Sequence, residues 1–314
     1  ATKGQSANYT GSSGITLAVI IADLSNPGYR GMYIGALSEA IKLNASLITL
    51  DAQNNVSTEM SQIEDMITKK VNGFVLVPVD SAAISAGVKE ANAAGVPVVT
   101  MDRSTDAGKV AALVESNNVG IGTAGANLMA QAAKAQNMSL TSLRVLELLG
   151  DMTTSAAVER HQGFADRAKQ LGLDIIAQGS TYWQEAKANA AVLDAFQAHP
   201  DINAIYMASG CAMYAGVSSA LKSINKLIPR DKPGHIILIA SDGCPGDMNG
   251  IRDGYVDGDA AHQMLNIGAT AVKLAFDAAK GITPKESVVR MAPDLVTPQN
   301  VDSKDHWANV VKVQ

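Results

Sequence analysis

From residue 15 onward, runs of consecutive apolar, β-prone residues alternate with helix-like stretches. ITLAVIIA at 15–22, ASLITLDA at 45–52, GFVLVPV at 73–79, VPVVTMD at 96–102 and AALVE at 111–115 are the first five runs. None of them alternates apolar with polar residues. A strand of that kind is buried on both faces, which is the habit of a parallel sheet covered by helices on each side. The stretches between them read as helices over 30–43, from a cap at Ser57 or Thr58 to 70, and over 81–94. A strand and a helix in about thirty residues is the size of a βαβ step.

The pattern then restarts. Helices are expected over 123–136, 154–171, 185–198 and 210–224, with strands at 143–150, 173–179, 202–209 and 235–242 between them. A long helix over 263–280 follows, then extended pieces at 287–293 and 307–313 that return to complete the existing layers. A chain of 314 residues divides into about two domains. Its net charge of −5 argues against a broad basic surface for nucleic acid or anionic lipid. No apolar run reaches the roughly 18 residues of a membrane span. Residues 1–14, rich in Gly, Ser and Thr, read as a flexible tether.

In open α/β sheets ligands collect beyond the carboxyl ends of the strands. The residues just past those ends are therefore the candidates. Asn26 and Tyr29 follow the first strand; Asp102 and Arg103 end the fourth. Arg160 lies on the helix after 143–150, Trp183 follows 173–179, Asp242 ends 235–242, and His262 precedes the long helix. Carboxylates and amides exchange hydrogen bonds with hydroxyls, and arginine supplies a rigid fork of donors. Tyrosine and tryptophan offer flat apolar faces to the C–H side of a sugar. Two carboxylates against two guanidiniums favour a neutral, hydroxyl-rich ligand over a phosphate or dicarboxylate. The bland alternatives are a turn built by Asn26, a helix-face pair for Arg160, and a cap by Asp242.

At these residues the chain resembles the ribose-binding family of periplasmic proteins, the sugar-binding components of ABC transporters. The resemblance rests on IIADLSNPGY at 20–29, LDAQNN at 50–55, VTMDR at 99–103, SAAVERHQGF at 155–164, ASDGCPGDMNGIRDG at 240–254 and LVTPQNV at 295–301, in that order. It implies a type I periplasmic binding protein: two Rossmann-like α/β lobes, each a mostly parallel sheet flanked by helices, joined by a three-crossing hinge. The lobes would hold 15–117 with 263–291, and 118–262 with 292–314, the sugar lying in the cleft between them. Carried over residue by residue, Asn26, Tyr29, Asp102, Arg103, Arg160, Trp183 and Asp242 are ligand contacts. His262 stands where ribose binders have glutamine. Gly28 stands in place of a phenylalanine and Gly210 in place of a ligand asparagine, so the ligand class survives but ribose itself does not follow. A cyclic sugar and a linear polyol both remain open.

The resemblance further implies a monomer that works outside the cytoplasm, either periplasmic or a membrane-tethered lipoprotein, delivering its ligand to an ABC permease. A sugar sensor that presents its closed form to a chemoreceptor or sensor kinase is the alternative. A carbohydrate-active enzyme is the remote one, since GxSxG, a P-loop and a GxGxxG after the first strand are missing. No cofactor is expected, and no metal, since neither an EF-hand loop nor a Cys/His cluster is present. Cys211 and Cys244 follow two strands of the second half. If those strands are neighbours, the thiols can meet as a disulfide, as an oxidising compartment would permit; two free buried cysteines are the alternative.

Overall fold

The computed structural model describes residues 8–311. In chain order the first elements are β1 (Thr16–Ile21), α1 (Pro27–Lys42), β2 (Ser46–Asp51), α2 (Val56–Thr68), β3 (Gly73–Val77), α3 (Ser85–Ala93), β4 (Val98–Met101) and β5 (Ala112–Ser116). Then come α4 (Asn118–Ala135), β6 (Arg144–Leu149), α5 (Ser155–Leu171), β7 (Asp174–Ser180), α6 (Glu185–Ala198), β8 (Ala204–Met207), α7 (Gly210–Ser223), β9 (Ile237–Asp242), α8 (Pro245–Arg252) and β10 (Gly258–Ala261). The last are α9 (Met264–Ala279), β11 (Val288–Met291), β12 (Asp294–Val296) and α10 (Trp307–Val310).

Two compact units result. Unit 1 holds the chain up to Ser116, then Gln263–Met291, then the residues from Val311; unit 2 holds Asn117–His262 and Ala292–Val310. The sheet of unit 1 runs β11-β5-β4-β3-β1-β2 and every pairing in it is parallel. The doubly buried strands foreseen from sequence are here. Leu17, Val19 and Ile21 of β1 join one core with Met32 and Ala36 of α1 and Ile267 and Ala271 of α9. Ala18 and Ile20 point the other way, into a core with Ile63 and Met66 of α2 and Val88 of α3. The two-residue period of a strand thus feeds two cores from one apolar run.

The sheet of unit 2 runs β12-β10-β9-β8-β6-β7. Its pairings are parallel except that of the short edge strand β12 with β10. α4 and α5 pack backbone to backbone: a Cβ at Gly163 would fall on Val119 O, and one at Gly122 on Arg160 O. That close approach seats Arg160 beside the N-terminal turn of α4.

Several sequence expectations shift. α1 begins at Pro27, three residues before the expected start, because Asn26 Oδ1 accepts from Gly28 N (2.8 Å) and Tyr29 N (3.4 Å) as an N-cap. α2 is capped by Asn55, which accepts from Thr58 N, and not by Ser57 or Thr58. α4 starts at Asn118, where Gly120 and Gly122 had hidden its first turns. The segment 307–313 was expected as extended; its first four residues form the short helix α10, with Trp307 packed inward, and its last two lie outside the described residues. β10 and α8 were not foreseen. Residues 1–7 of the expected tether also lie outside the described residues. Residues 8–14 are laid along β2: Tyr9 bridges Leu47 through two backbone hydrogen bonds, and Ser13 N donates to Asn44 O.

Candidate functional site

In a parallel sheet all strand carboxyl ends share one edge, so each unit gathers its strand-end residues there. In unit 1 these are Asn26, Tyr29, Asp102 and Arg103. Tyr29 Oη donates to Asp102 Oδ2 (3.1 Å) and accepts from Arg103 Nη2. Arg103 Nη1 donates to Val79 O at 3.2 Å. Burial, then the Asp102 carboxylate, pushes the Tyr29 phenol up to about 12, so it stays a neutral donor. Asp102 and Arg103 keep about two-fifths of their side chains exposed, 37% and 43%, which leaves them able to meet a ligand. Asn26 is different: its Oδ1 is committed to the α1 cap, and only its amide nitrogen is left to reach outward.

Sequence reasoning missed Glu59, a fully buried carboxyl whose two oxygens accept from Val79 N at 3.2 Å each. Burial pushes it up to about 7. Val79 therefore links Glu59, through its N–H, to Arg103, through its carbonyl. A Cβ on Gly28 would project to 3.2 Å from Met264 Cε, so a thioether from α9 occupies the space beside that glycine.

In unit 2, Arg160, Asp242 and His262 converge. Arg160 Nη1 donates to Asp242 Oδ1 and to Ala208 O, both at 2.6 Å, and its Nε donates to Asn118 Oδ1 at 3.0 Å. His262 Nε2 lies 2.9 Å from both Arg160 Nη2 and Asp242 Oδ1. Ser209 Oγ donates to Asp242 Oδ2. Burial pulls the Asp242 carboxyl upward, but Arg160, then His262 and Ser209, outweigh it and hold the group well below the usual carboxylate range. Trp307 Nε1 donates to Asp242 O at 3.0 Å. Asn118, Ser209 and Trp307 were not singled out from sequence. Ser209 and Asn118, each two residues past the end of a strand, β8 and β5, carried the strand-end signal; Trp307 carried none.

Trp183 stands beside this cluster. Its ring lies over Gly150, where a Cβ would collide with the six-membered ring, and the Arg160 guanidinium carbon is 5.8 Å from its centroid. Cys211 and Cys244 are joined as a disulfide with Cα atoms 5.4 Å apart, which ties the start of α7 to the residue two after Asp242. Asp247 places an oxygen within 4.8 Å of both sulfurs, but bonded to each other they offer no thiolate to a cation.

The chain has relatives among known proteins. Residues 17–283 match the family model of the periplasmic binding protein domain. The chain is 35% identical over 266 residues to the ribose import binding protein of Bacillus subtilis, covering 85% of this chain and 82% of that one. It is 30% identical to the Escherichia coli counterpart, with 85% of each covered. Among solved structures, a solute-binding protein of an ABC transporter from Bacillus halodurans with bound myo-inositol is 25% identical, covers 95% of this chain and 100% of that one, and has a TM-score of 0.69. A periplasmic ribose ABC transporter protein from Conexibacter woesei shares the fold at a TM-score of 0.78 and 17% identity, covering 93% and 95%. The strand-end residues and the two mostly parallel sheets thus sit in a chain that belongs to the periplasmic binding protein family.

Proposed function

We propose that this protein is the extracytoplasmic solute-binding component of an ABC importer and captures a small neutral sugar or polyol. One observation carries the reading: the Arg160–Asp242–His262 cluster is held in place by the protein's own hydrogen bonds, with an aromatic face, Trp183, at its side. Such preorganised donors and acceptors suit hydroxyls, which both donate and accept, and the ring suits the C–H face of the same molecule. Each carboxylate has its own arginine, Asp102 with Arg103 and Asp242 with Arg160, so neither pair offers a net charge to an ionic ligand.

The same pairing argues against catalysis: Asp242, held ionised beside Arg160, is unsuited to protonate a glycosidic oxygen. The protein therefore binds without breaking a bond, and delivers its ligand as a monomer to a membrane permease. Met264 in the place of an aromatic wall, and His262 in that of a glutamine, set its preference apart from plain ribose. The relatives named for ribose and solved with myo-inositol supply the first panel. Calorimetric titration of ligand-stripped protein with D-ribose, D-allose, myo-inositol, linear polyols and a sugar acid tests the proposal. Saturable one-to-one binding of a neutral member is expected. Silence across the neutral panel, or preference for the acid, would overturn it.

A further inference from the structure

Two more carboxyls are sealed inside unit 2 next to this cluster. Asp247, on α8, is 1% exposed and Asp259, on β10, is 0% exposed. Each accepts one backbone N–H from the turn after β9: Asp259 Oδ2 from Gly243 N at 3.2 Å, and Asp247 Oδ2 from Cys244 N at 3.1 Å. Oδ1 of each is buried without a hydrogen-bond partner, and the two carboxyls are near enough to act on one another. The nearby basic side chains are engaged elsewhere: Arg160 and His262 both pair with Asp242.

Two ionised carboxylates give each other no hydrogen bond, because neither has a proton to donate, and both Oδ1 atoms would stay unpartnered. Two adjacent buried anions without a counterion are also too costly to persist. We propose that Asp247 and Asp259 share a single proton and act as positioning residues, fixing the Gly243–Cys244 turn and with it the Asp242 carboxylate. The role assigned to Asp242 rests on the function proposed above; the shared proton does not.

The turn needs such a clamp. Asp242 and Gly243 have φ values of 91° and 76°, two successive residues in the left-handed region, a conformation that strains the non-glycine Asp242. With one proton in place, one acid donates to the other and both Oδ2 atoms still accept from the turn. Burial pushes both carboxyls upward; the charge of Asp259, then that of Asp242, adds to the push on Asp247, and the charge of Asp242 adds to that on Asp259. The groups facing the pair are Asp242 of β9, Arg160 of α5, and Tyr214 of α7, whose phenol also feels Asp253. Only Arg160 among these is a fixed cation, and it opposes the upward shift without cancelling it. Gly210 completes the enclosure: a Cβ there would land on the Asp247 carboxyl, so the start of α7 closes over the pair only because that residue is glycine.

Loss of the proton would place a second full charge beside Asp242 and loosen the turn. The test has two arms. In the ligand-free protein, carboxyl carbon-13 resonances and the Trp307 indole N–H are followed from about pH 4 to about pH 9. The expected result is that one proton persists on the pair above the ordinary carboxylate range, and that the Trp307 signal, bonded to Asp242 O, shifts as that proton leaves. In Asp247→Asn, whose amide is a permanent neutral donor, the Trp307 shift is lost. Ordinary ionisation of both acids near pH 4, or an unchanged Trp307 profile in the variant, would overturn the proposal. The second arm titrates D-ribose, D-allose and myo-inositol at about pH 6 and about pH 9. Affinity of the parent for a bound member falls about tenfold at the higher pH, whereas that of Asp247→Asn stays level; equal falls in both would overturn the positioning role. If none of the three sugars binds, the functional reading fails while the first arm still decides on the proton.

Discussion

Replacing Arg160 by methionine removes the cation that Asp242 depends on and keeps most of the apolar stem. The carboxylate that remains is only 12% exposed in its side chain. Breaking a buried pair by deleting one partner costs about 3–5 kcal/mol, because the other charge is left uncompensated. Ala208 O and Asn118 Oδ1 also lose their donor, but His262 and Ser209 still hold Asp242, so about 4 kcal/mol is the expected loss. For a unit of this size that lowers the melting temperature by roughly 8–16 °C. Both tryptophans of the chain, Trp183 and Trp307, lie in unit 2. Urea unfolding followed by tryptophan fluorescence therefore reports on the unit that carries the change. The double variant Arg160→Met/Asp242→Asn removes both charges, and its loss should be at least about 2 kcal/mol smaller than the sum of the singles. The acid limb supplies a sign test. In the parent, Asp242 is depressed, so its contribution is full above the unfolded value of about 3.9 and fades as pH falls through the lower folded value. In Arg160→Met burial has the upper hand, the carboxyl rises, and stability instead declines as pH climbs above about 4. A single variant within about 1 kcal/mol of the parent, or strictly additive losses, would refute the reasoning.

Three further outcomes are expected. Gly150→Ala drives a methyl into the Trp183 ring, so the ring must swing away; sugar affinity should drop about tenfold or more while the urea midpoint of unit 2 moves little, and unchanged affinity would remove Trp183 from the ligand set. His235, whose Nδ1 faces Ile228 O (2.6 Å) and whose Nε2 faces Asp257 Oδ2 (2.9 Å), has its pKa raised by those acceptors against the pull of burial. Its contribution is full below the unfolded histidine value of about 6.5 and is lost as pH rises through the higher folded value, so His235→Gln should flatten the melting temperature across that window. Reducing the Cys211–Cys244 bond, which spans 33 residues, should cost about 3–4 kcal/mol in the same fluorescence assay; indifference to reductant would mean that the cysteines are not bonded in solution.

The layered α/β architecture was legible because each central strand serves two cores. That demands an unbroken apolar run, and β1, β3 and β4 supply one. Helix starts were less legible, since α1, α2 and α4 are opened by asparagines whose capping role depends on φ and ψ and not on composition. β10 escaped notice because Gly-Asp-Ala-Ala carries no β-branched residue and places a buried acid, Asp259, in its middle. At the site, residue types at strand ends could be read along the chain, but their partners could not. Asn118 reaches Arg160 across 42 residues and Trp307 reaches Asp242 across 65. A contact of that separation leaves no mark on the sequence around either residue.

Backbone strain separates the candidate site from the rest of the described chain. Of the non-glycine residues in the left-handed region, Asn44, Lys70, Asn137 and Asn225 lie within two residues of the ends of α1, α2, α4 and α7, and Gln53 and Asn54 form the turn after β2. Those are routine uses of that conformation. The remaining four are Asp102, Tyr182, Trp183 and Asp242, at the ends of β4, β7 and β9. Tryptophan and tyrosine have no side-chain device to favour such a backbone, and each such residue costs about 1–3 kcal/mol. Their surroundings hold them there: Asp102 N donates to Val114 O, Gln184 N to Thr181 O, and Trp307 Nε1 to Asp242 O. A fold selected for stability alone would place glycine or asparagine at these positions, as it does at most of the helix ends. Keeping aspartate and tryptophan there sacrifices backbone comfort for a side chain that a glycine lacks, and three of these four residues are ones that sequence chemistry had nominated for ligand contact.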